Sequence, residues 1–205
     1  MPKVVDHAQR RAEIADALWQ VIRRDGIAAA SVRTVAAEAG WSTGAIRHYF
    51  STQAELLAFA TTMMIQQVTE RVAVLAAGAR TVDDLVAVLE ETLPLDAQRL
   101  ADAEVWLAMV AASRTDAGLK PLTGDAYRGL RKMCSGIVGR IALAPGAPAL
   151  DATLETDRLH GLIDGLALHG TLYPRQMTRP RMRRALSIHV KGLAGGATDL
   201  LPPPK

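Results

Sequence analysis

Apolar residues recur three or four positions apart along most of the chain, which is the spacing that places them on one face of an α-helix. The first example is Ile14, Leu18 and Ile22, which predict a helix over residues 7–24 that ends before Gly26. No convincing stretch alternates apolar and polar residues strictly, as a half-buried strand does. The pattern therefore predicts an all-α protein.

Helix-capping residues, glycines and prolines divide the remainder of the chain into further segments with helical spacing. The predicted helices cover residues 32–39, 43–50, 52–77, 81–93, 97–113, 120–143, 151–173 and 178–193. With the first helix they make about nine. The segment 52–77 is too long for a small domain, since at a rise of ~1.5 Å per residue it extends about 37 Å. We therefore expect a three-helix domain in residues 1–50 and a larger helical domain in residues 51–205.

The segment from Ser31 to Tyr49 combines two short predicted helices with a tight turn between them. Ser31 and Ser42 stand at the two N-cap positions, where a hydroxyl accepts a hydrogen bond from an unpaired backbone N–H. Gly40 stands where the first helix ends and the chain has to turn. Small residues allow the helices to cross closely, and this arrangement is typical of a DNA-binding helix-turn-helix. The predicted core of the three-helix domain is Ile14, Leu18, Ile22, Val35, Ile46 and Phe50.

This motif resembles the DNA-binding domain of the TetR family of bacterial repressors, over roughly residues 10–58. The residues that carry the resemblance are Val35, Ala36, Ala39, Gly40, Ser42, Gly44, Ile46, Tyr49, Phe50, Glu55, Leu56 and Leu57. Two positions depart from the family pattern, because Arg47 stands where an aromatic residue is common and Gln53 stands where a lysine is common. The resemblance implies a DNA-binding regulator whose larger helical domain forms a homodimer and binds a small-molecule effector.

The second helix of the motif is expected to read base edges in the major groove of duplex DNA. Arg47 lies one turn after Thr43, and its guanidinium group matches the O6 and N7 acceptors of guanine. The start of the same helix offers unpaired backbone N–H groups to phosphate. By resemblance, Arg33, Thr52 and Gln53 reach the DNA as well. The residues predicted to contact DNA are Arg33, Ser42, Thr43, Gly44, Arg47, His48, Tyr49, Thr52 and Gln53.

The sequence also predicts a dimer, because a single reading helix makes few phosphate contacts. Gly161 and Gly165 lie four residues apart on one helix, and since each glycine costs ~1 kcal/mol there, their spacing indicates the close approach of another helix. The resemblance assigns this helix and the last helix to a four-helix bundle between two subunits. The predicted interface residues are Gly161, Leu162, Gly165, Leu166, His169, Leu186 and His189. The alternative, in which both helices only cover their own core, remains open.

By resemblance, the middle helices enclose a pocket for the effector. The candidate lining residues have apolar or adaptable side chains and are Phe59, Met63, Trp106, Met109, Tyr127, Met133 and Cys134. Each position is equally compatible with an ordinary core residue, since methionines and aromatics at helical spacing commonly belong to a core. Residues 162–174 also resemble the choline-responsive BetI-like subgroup of the family.

Charge is spread unevenly along the chain, although the net charge is only +3. Residues 51–174 carry ten Lys or Arg and fifteen Asp or Glu, which favours a neutral or cationic effector over an anionic one. Cys134 is the only cysteine, which excludes an internal disulfide framework and fits a reducing compartment. The sequence has no run of about 18 apolar residues, which is the length that a transmembrane helix would need. These features predict a soluble, cytoplasmic protein without a membrane partner.

Two other classes of function compete with this interpretation. In an enzyme, His160 and Asp164 would share a metal ion, but the chain has no glycine-rich phosphate loop, nucleophile elbow or paired-cysteine motif. We therefore expect no catalysis, no cofactor and no metal. In a helical adaptor or small-molecule-binding protein without sequence-specific DNA recognition, the basic last helix would bind an acidic partner. Its basic residues are Arg179, Arg181, Arg183, Arg184 and Lys191.

Overall fold

The computed structural model describes residues 7–198, with side chains from Gln9 onward. Within this range the chain forms nine α-helices and two short 3₁₀ turns, which confirms the all-α class. The helices are α1 His7–Asp25, α2 Val32–Ala39, α3 Thr43–Arg47, α4 Gln53–Gly78, α5 Val82–Glu90, α6 Ala97–Ser113, α7 Lys120–Ala142, α8 Ala152–Leu172 and α9 Arg179–Ala194. The 3₁₀ turns are Ile27–Ala29 and Ala117–Leu119. None of the helices in the described range combines the length and apolar composition that a bilayer crossing requires.

Two helices end earlier than their hydrophobic patterns predict. α3 ends at Arg47 rather than at residue 50, and the Tyr49 N–H then bonds to a carbonyl three residues back, which tightens the last turn. α5 ends at Glu90 rather than at residue 93, because the Leu93 N–H also bonds three residues back and Pro94 follows. The predicted type of each element is therefore correct, while these two ends are wrong by three residues.

The chain divides into two compact units, and three of its helices contribute residues to both. The first unit contains the described residues up to Ile65 together with Glu104–Thr123, and the second contains Gln66–Ala103 together with the described residues from Gly124 onward. This division differs from the expected boundary at residue 50, because α4, α6 and α7 each continue through a dividing point without a break. The three-helix domain thus shares one unit with the first half of α4 and the second part of α6.

The predicted core of the three-helix domain is confirmed. Its six apolar side chains are each no more than 3% exposed. They are Ile14, Leu18, Ile22, Val35, Ile46 and Phe50. The core continues into α4, since the rings of Phe50 and Phe59 lie 4.8 Å apart. Because burying each such side chain contributes about 1.5–3 kcal/mol, this cluster fixes how the two helices of the motif cross.

Local hydrogen bonds fix the turn and the helix starts of the helix-turn-helix motif. Ser31 Oγ accepts a bond from the Thr34 N–H at 3.2 Å, and Thr34 Oγ1 accepts one from the Ser31 N–H at 2.9 Å, which completes a capping box on α2. Gly40 ends α2 at φ 69°, a left-handed conformation that residues with a side chain rarely adopt. Ser42 Oγ accepts a bond from the Ala45 N–H at 3.1 Å. The predicted caps and turn are therefore confirmed.

The second unit has an apolar core of its own, formed mainly by α5, α7, α8 and α9. Leu89, Val138, Leu159 and Leu186, one from each of these helices, are completely buried in it. Because all four helices share this core, it sets the rotation of α8 and α9 about their axes. The core thereby decides which side chains of these two helices face outward.

A half-buried network of charges joins the second half of α4 to α6 and to the end of α5. The Arg71 guanidinium lies 2.8 Å from the Glu91 carboxylate and 2.6 Å from that of Asp102, and Arg99 lies 2.9 Å from Glu91. Burial raises the pKa of Asp102, and the hydrogen bond from Arg71 opposes that rise. Removing one member would leave a buried charge without its partner, which is strongly destabilising. The network therefore holds this part of α4 in a fixed position within its unit.

Candidate functional site

Eight of the nine residues predicted to contact DNA are exposed to solvent, and the ninth, Tyr49, is partly buried. The nine lie on α2, on α3 with the turns on either side of it, and at the start of α4. The Ile46 side chain points the other way and is completely buried. α3 therefore has one face anchored in the core and one face that is open to a duplex.

The two arginines expected to approach bases form no ion pair with any residue that the structure describes. Both Arg33 and Arg47 are exposed. Arg24 differs, because its guanidinium lies 3.0 Å from the Asp25 carboxylate and 2.8 Å from that of Glu38, and these hydrogen bonds raise its pKa. An unpaired guanidinium retains all its N–H donors for guanine or phosphate. Arg33 and Arg47 thus remain free to bind DNA.

Arg10 of α1, which has no predicted role, lies against the turn of the motif. Its guanidinium carbon is 4.5 Å from the centre of the Trp41 ring. The centres of the Trp41 and Tyr49 rings are 6.1 Å apart. The His48 ring packs edge-on against the Tyr49 ring, with 5.6 Å between their centres. A cation over an indole face is favourable, so Arg10 helps to hold the aromatic residues beside α3. Sequence periodicity does not reveal this contact, because it joins distant segments through tertiary packing.

Hydrogen bonds also hold the corner at which α4 begins. Thr52 Oγ1 accepts a bond from the Glu55 N–H at 3.1 Å, and the Glu55 carboxylate accepts one from the Ser51 N–H at 2.7 Å. The bonds from Ser51, the backbone bond above all, lower the pKa of Glu55. Gln53 Nε2 donates to the Ala30 carbonyl. Gln53 therefore ties α4 to the segment before α2, a role that the sequence did not indicate.

Two of the seven residues predicted for a dimer interface point into their own subunit. Leu166 is 4% exposed and Leu186 is 0% exposed, and both belong to the apolar core of the second unit. These two side chains are therefore removed from the expected interface, because a partner cannot reach them in this conformation. The remaining five are exposed or partly exposed on α8 and α9 and are Gly161, Leu162, Gly165, His169 and His189.

The glycines of α8 differ sharply in their surroundings. A Cβ atom placed on Gly161 or Gly165 would have no atom of another described element within 4 Å. A Cβ atom on Gly170 would overlap the Met182 sulfur and would lie 2.9 Å from the Pro94 ring. Gly170 thus serves packing inside the subunit. The close approach expected at Gly161 and Gly165 is not made by the described part of their own chain.

Large apolar side chains are exposed on the same two helices. Ile188 of α9 is 61% exposed, Leu172 of α8 is 54% exposed, and Leu168 of α8 is also exposed. Ile188 lines a shallow groove on α9 together with the basic residues Arg181 and Arg184. Large apolar side chains that stay exposed on neighbouring parts of a helical unit are often found at interaction sites. The outer surface of α8 and α9 is therefore a candidate for contact with another protein chain.

The basic residues of α9 are partly neutralised by the acidic residues of α5. Arg183 lies 3.2 Å from the Glu90 carboxylate, and Lys191 lies 2.7 Å from that of Asp83. The Lys191–Asp83 pair is solvent-exposed and the Arg183–Glu90 pair is partly buried at Glu90, and pairs of this kind contribute on the order of 1 kcal/mol or less. They nevertheless reduce the positive field of α9, which weakens the interpretation of this helix as a binding surface for an acidic partner.

The seven residues predicted to line an effector pocket are divided between the two compact units. Phe59, Met63, Trp106 and Met109 belong to the first unit, and Tyr127, Met133 and Cys134 belong to the second. Met109 and Cys134 are completely buried, and the Phe59 ring packs on that of Phe50. Met109 and Cys134 are therefore core residues in this conformation. The five that keep accessible surface are Phe59, Met63, Trp106, Tyr127 and Met133.

Cys134, His160 and Asp164, the residues considered for an enzyme, lie as follows. Burial raises the pKa of the Cys134 thiol to about 12, so it stays protonated and unreactive at neutral pH. His160 Nε2 lies 3.6 Å from the Asp164 carboxylate, and the Tyr127 ring lies 4.7 Å from the His160 ring. The described residues contain no group of three or more His, Cys, Asp or Glu positioned to hold a metal ion.

Comparison with known proteins identifies similar sequences over most of the chain. Residues 14–59 match the family model described as "Bacterial regulatory proteins, tetR family", and residues 81–195 match "BetI-type transcriptional repressor, C-terminal". The HTH-type transcriptional regulator PksA of Bacillus subtilis (strain 168) is 37% identical over 195 residues, which cover 94% of both chains. The matched regions contain the helix-turn-helix at one end and α8 and α9 at the other.

Solved structures share the fold along almost the whole chain. A transcriptional regulator from Rhodococcus sp. Rha1 has a TM-score of 0.75 and 30% identity, over 94% of this chain and 99% of that one. A regulator from Saccharomonospora viridis, solved in complex with choline, has a TM-score of 0.76 and 22% identity, over 94% and 98% of the two chains. At that identity the second similarity establishes the fold alone.

Proposed function

This chain belongs to the TetR family of bacterial transcriptional regulators, and on that premise we propose that it is a repressor that binds a palindromic operator as a homodimer and is released by a small molecule. It is a regulator of transcription and not an enzyme. One observation carries the proposal: next to the buried Ile46, α3 presents an exposed Arg47 that forms no ion pair with any described residue. We place the protein in the cytoplasm, together with its DNA.

In the proposed complex α3 lies in the major groove and each of its groups has a distinct task. Arg47 donates two N–H groups of its guanidinium to guanine O6 and N7, and this contact reads the base sequence. Arg33 and Thr52 contact phosphates on either side and fix the register of the protein on the duplex. The Ser42 cap holds the start of α3 rigid, and Gly44 beside it lets the backbone approach the DNA closely.

The proposed dimer uses the outer surface of α8 and α9. Support comes from Gly161 and Gly165, which leave room for another helix, and from the exposed apolar side chains beside them. A two-fold axis through this surface brings two α8 and two α9 helices together as a bundle. Two reading helices about one turn of DNA apart, ~34–36 Å, then contact equivalent half-sites, which requires a palindromic operator.

As effector candidates we keep the predicted side chains that retain accessible surface, each within its own unit: Phe59, Met63 and Trp106 in the first, and Tyr127 and Met133 in the second. Support for a small-molecule ligand in this fold comes from the Saccharomonospora viridis regulator, which was solved with choline. Release requires only that the ligand binds more tightly to the conformation with low DNA affinity. α4 is the direct structural route for this coupling, because it is continuous and has residues in both units.

Hydroxyl-radical footprinting on the DNA that flanks the gene tests the proposal. We expect two protected patches related by two-fold symmetry, with centres one helical turn apart, because each α3 shields one half-site. A fragment of the same length and base composition with shuffled sequence serves as the control. Equal protection of both fragments, or no protection by the folded protein, would contradict the proposal.

A further inference from the structure

The first unit contains an apolar cavity that shares only Gln53 with the predicted sites. It has a volume of about 230 Å³ and opens to solvent on one side. Its walls come from α1, from the 3₁₀ turn and the residues after it, from the start of α4 and from α6, represented by Leu18, Ile27, Leu57 and Ala108. Among the described residues of the lining, Gln53 is the only polar one, and none carries a charge.

We propose that this cavity is a binding site for a small, uncharged aromatic molecule of about the size of indole. An apolar cavity of ~150 Å³ is large enough to bind benzene, so the available volume suits a bicyclic ring. The walls cannot compensate the desolvation of an ion, which excludes charged ligands. Water on an apolar wall finds few hydrogen-bond partners, and an aromatic ligand that displaces it therefore gains affinity.

One polar group gives the site an orientation. Gln53 Nε2 donates to the Ala30 carbonyl, so the amide is turned with its nitrogen toward the backbone. Gln53 Oε1 is then left as an acceptor on a residue of the lining, and no residue in the described range donates to it. A ligand with one N–H or O–H group on an aromatic ring can satisfy this acceptor while its remaining surface contacts the apolar walls. Indole meets both conditions.

Occupation of the cavity would stabilise the first unit, since a ligand there touches four elements at once. The stabilisation follows from mass action and is measured on the free protein without DNA. The inference therefore does not depend on the proposed function, and either can fail without the other. The site also differs from the predicted effector residues, none of which belongs to the cavity lining.

The test is titration of the full-length protein with indole, followed by NMR of alanine methyl groups and by calorimetry. We expect saturable shifts at Ala28, Ala30 and Ala108, with a Kd on the order of 0.1 mM, and no shift at Ala144 in the core of the second unit. Absence of saturable shifts at the three lining alanines would overturn the proposal. This measurement needs no variant, so it does not depend on tolerance of a substitution.

Two substitutions on α6 locate the site independently. Ala108→Leu fills the cavity and is expected to weaken indole binding at least ten-fold, whereas Ala111→Leu on the exposed side of the same helix leaves it unchanged. Equal affinities of the two variants would contradict the assignment.

The ligand class is tested with indole-3-acetate and tryptamine, which add a negative and a positive charge. Binding of either ion as tight as that of indole would show that the site is not selective for uncharged molecules.

Discussion

A Gly165→Leu variant is expected to be monomeric at concentrations where the unsubstituted protein is a dimer. In the proposed interface two copies of α8 meet across a two-fold axis, so the substitution enters the interface twice. Forcing a larger side chain into a close-packed crossing costs about 1–3 kcal/mol per site, and two sites together raise the Kd of the dimer on the order of 30-fold or more. Sedimentation velocity over a concentration series measures the change.

The fold of the subunit is expected to tolerate this leucine. A Cβ atom at Gly165 meets no atom of another described element within 4 Å, and replacing a glycine inside a helix removes a cost of up to ~1 kcal/mol. Gly129 of α7 is a matched control, because it is also a helical glycine with open surroundings. Gly129→Leu should therefore remain dimeric.

Loss of the dimer is expected to reduce operator affinity on the order of 100-fold, since a monomer engages only one half-site. Operator affinity is measured for Gly165→Leu and Gly129→Leu on the same DNA fragment. Because neither glycine belongs to the surface predicted to contact DNA, a loss of affinity in Gly165→Leu alone reports loss of the dimer. A Gly165→Leu protein with the dimer Kd and operator affinity of the unsubstituted protein would place the interface elsewhere on the surface.

An Arg47→Ala variant is expected to lose discrimination at one base pair in each half-site. A bidentate contact between arginine and guanine contributes about 1–3 kcal/mol of discrimination, and the dimer makes two such contacts, which gives about 2–6 kcal/mol for the operator as a whole. Affinity for unrelated DNA should fall much less, because non-specific binding depends on phosphate contacts. Competition binding with operators carrying single base-pair changes measures the discrimination at each position.

Arg47→Lys distinguishes base reading from charge. Lysine retains the positive charge but has no planar fork of donors, so it should restore affinity for unrelated DNA without restoring full discrimination. If Arg47→Lys instead behaved like the unsubstituted protein at every base pair, Arg47 would contact phosphate alone. Arg47 is exposed and forms no ion pair in the described part of the chain. The substitutions therefore break no salt bridge there, and a change in DNA binding can be attributed to the DNA contact itself.

The helix-turn-helix was predictable because its determinants are local. Ser31, Gly40 and Ser42 each act within a few residues of their own position, and caps and turns depend on such short-range bonds. The spacing of Ile14, Leu18 and Ile22 identified a buried helix face in the same way. Sequence reasoning thus described the part of the molecule whose structure is determined by near neighbours.

The features that sequence reasoning missed depend on contacts between distant segments. Periodicity showed that Leu166 and Leu186 lie on apolar helix faces, but it does not distinguish a face toward the subunit's own core from a face toward a partner. The Arg10 contact with Trp41 and the bond from Gln53 to Ala30 likewise require the folded chain.

The compact units illustrate the same limit at the level of domains. The pattern of breakers placed a boundary at residue 50, where one helix ends and the next begins. In the structure Glu104–Thr123 joins the first unit although it is distant in sequence, and α4 continues from the first unit into the second. Such long-range association depends on which apolar faces meet, and no signal along the sequence specifies that choice.

Recognition of a specific, two-fold symmetric DNA sequence is tested by selecting binding sites for the full-length protein from a pool of randomised duplexes. We expect enrichment of a palindrome whose half-site centres lie about one helical turn apart. Each half should contain one fixed G·C pair that Arg47→Ala no longer selects. A pool that remains random after repeated selection by the folded, dimeric protein would contradict this expectation.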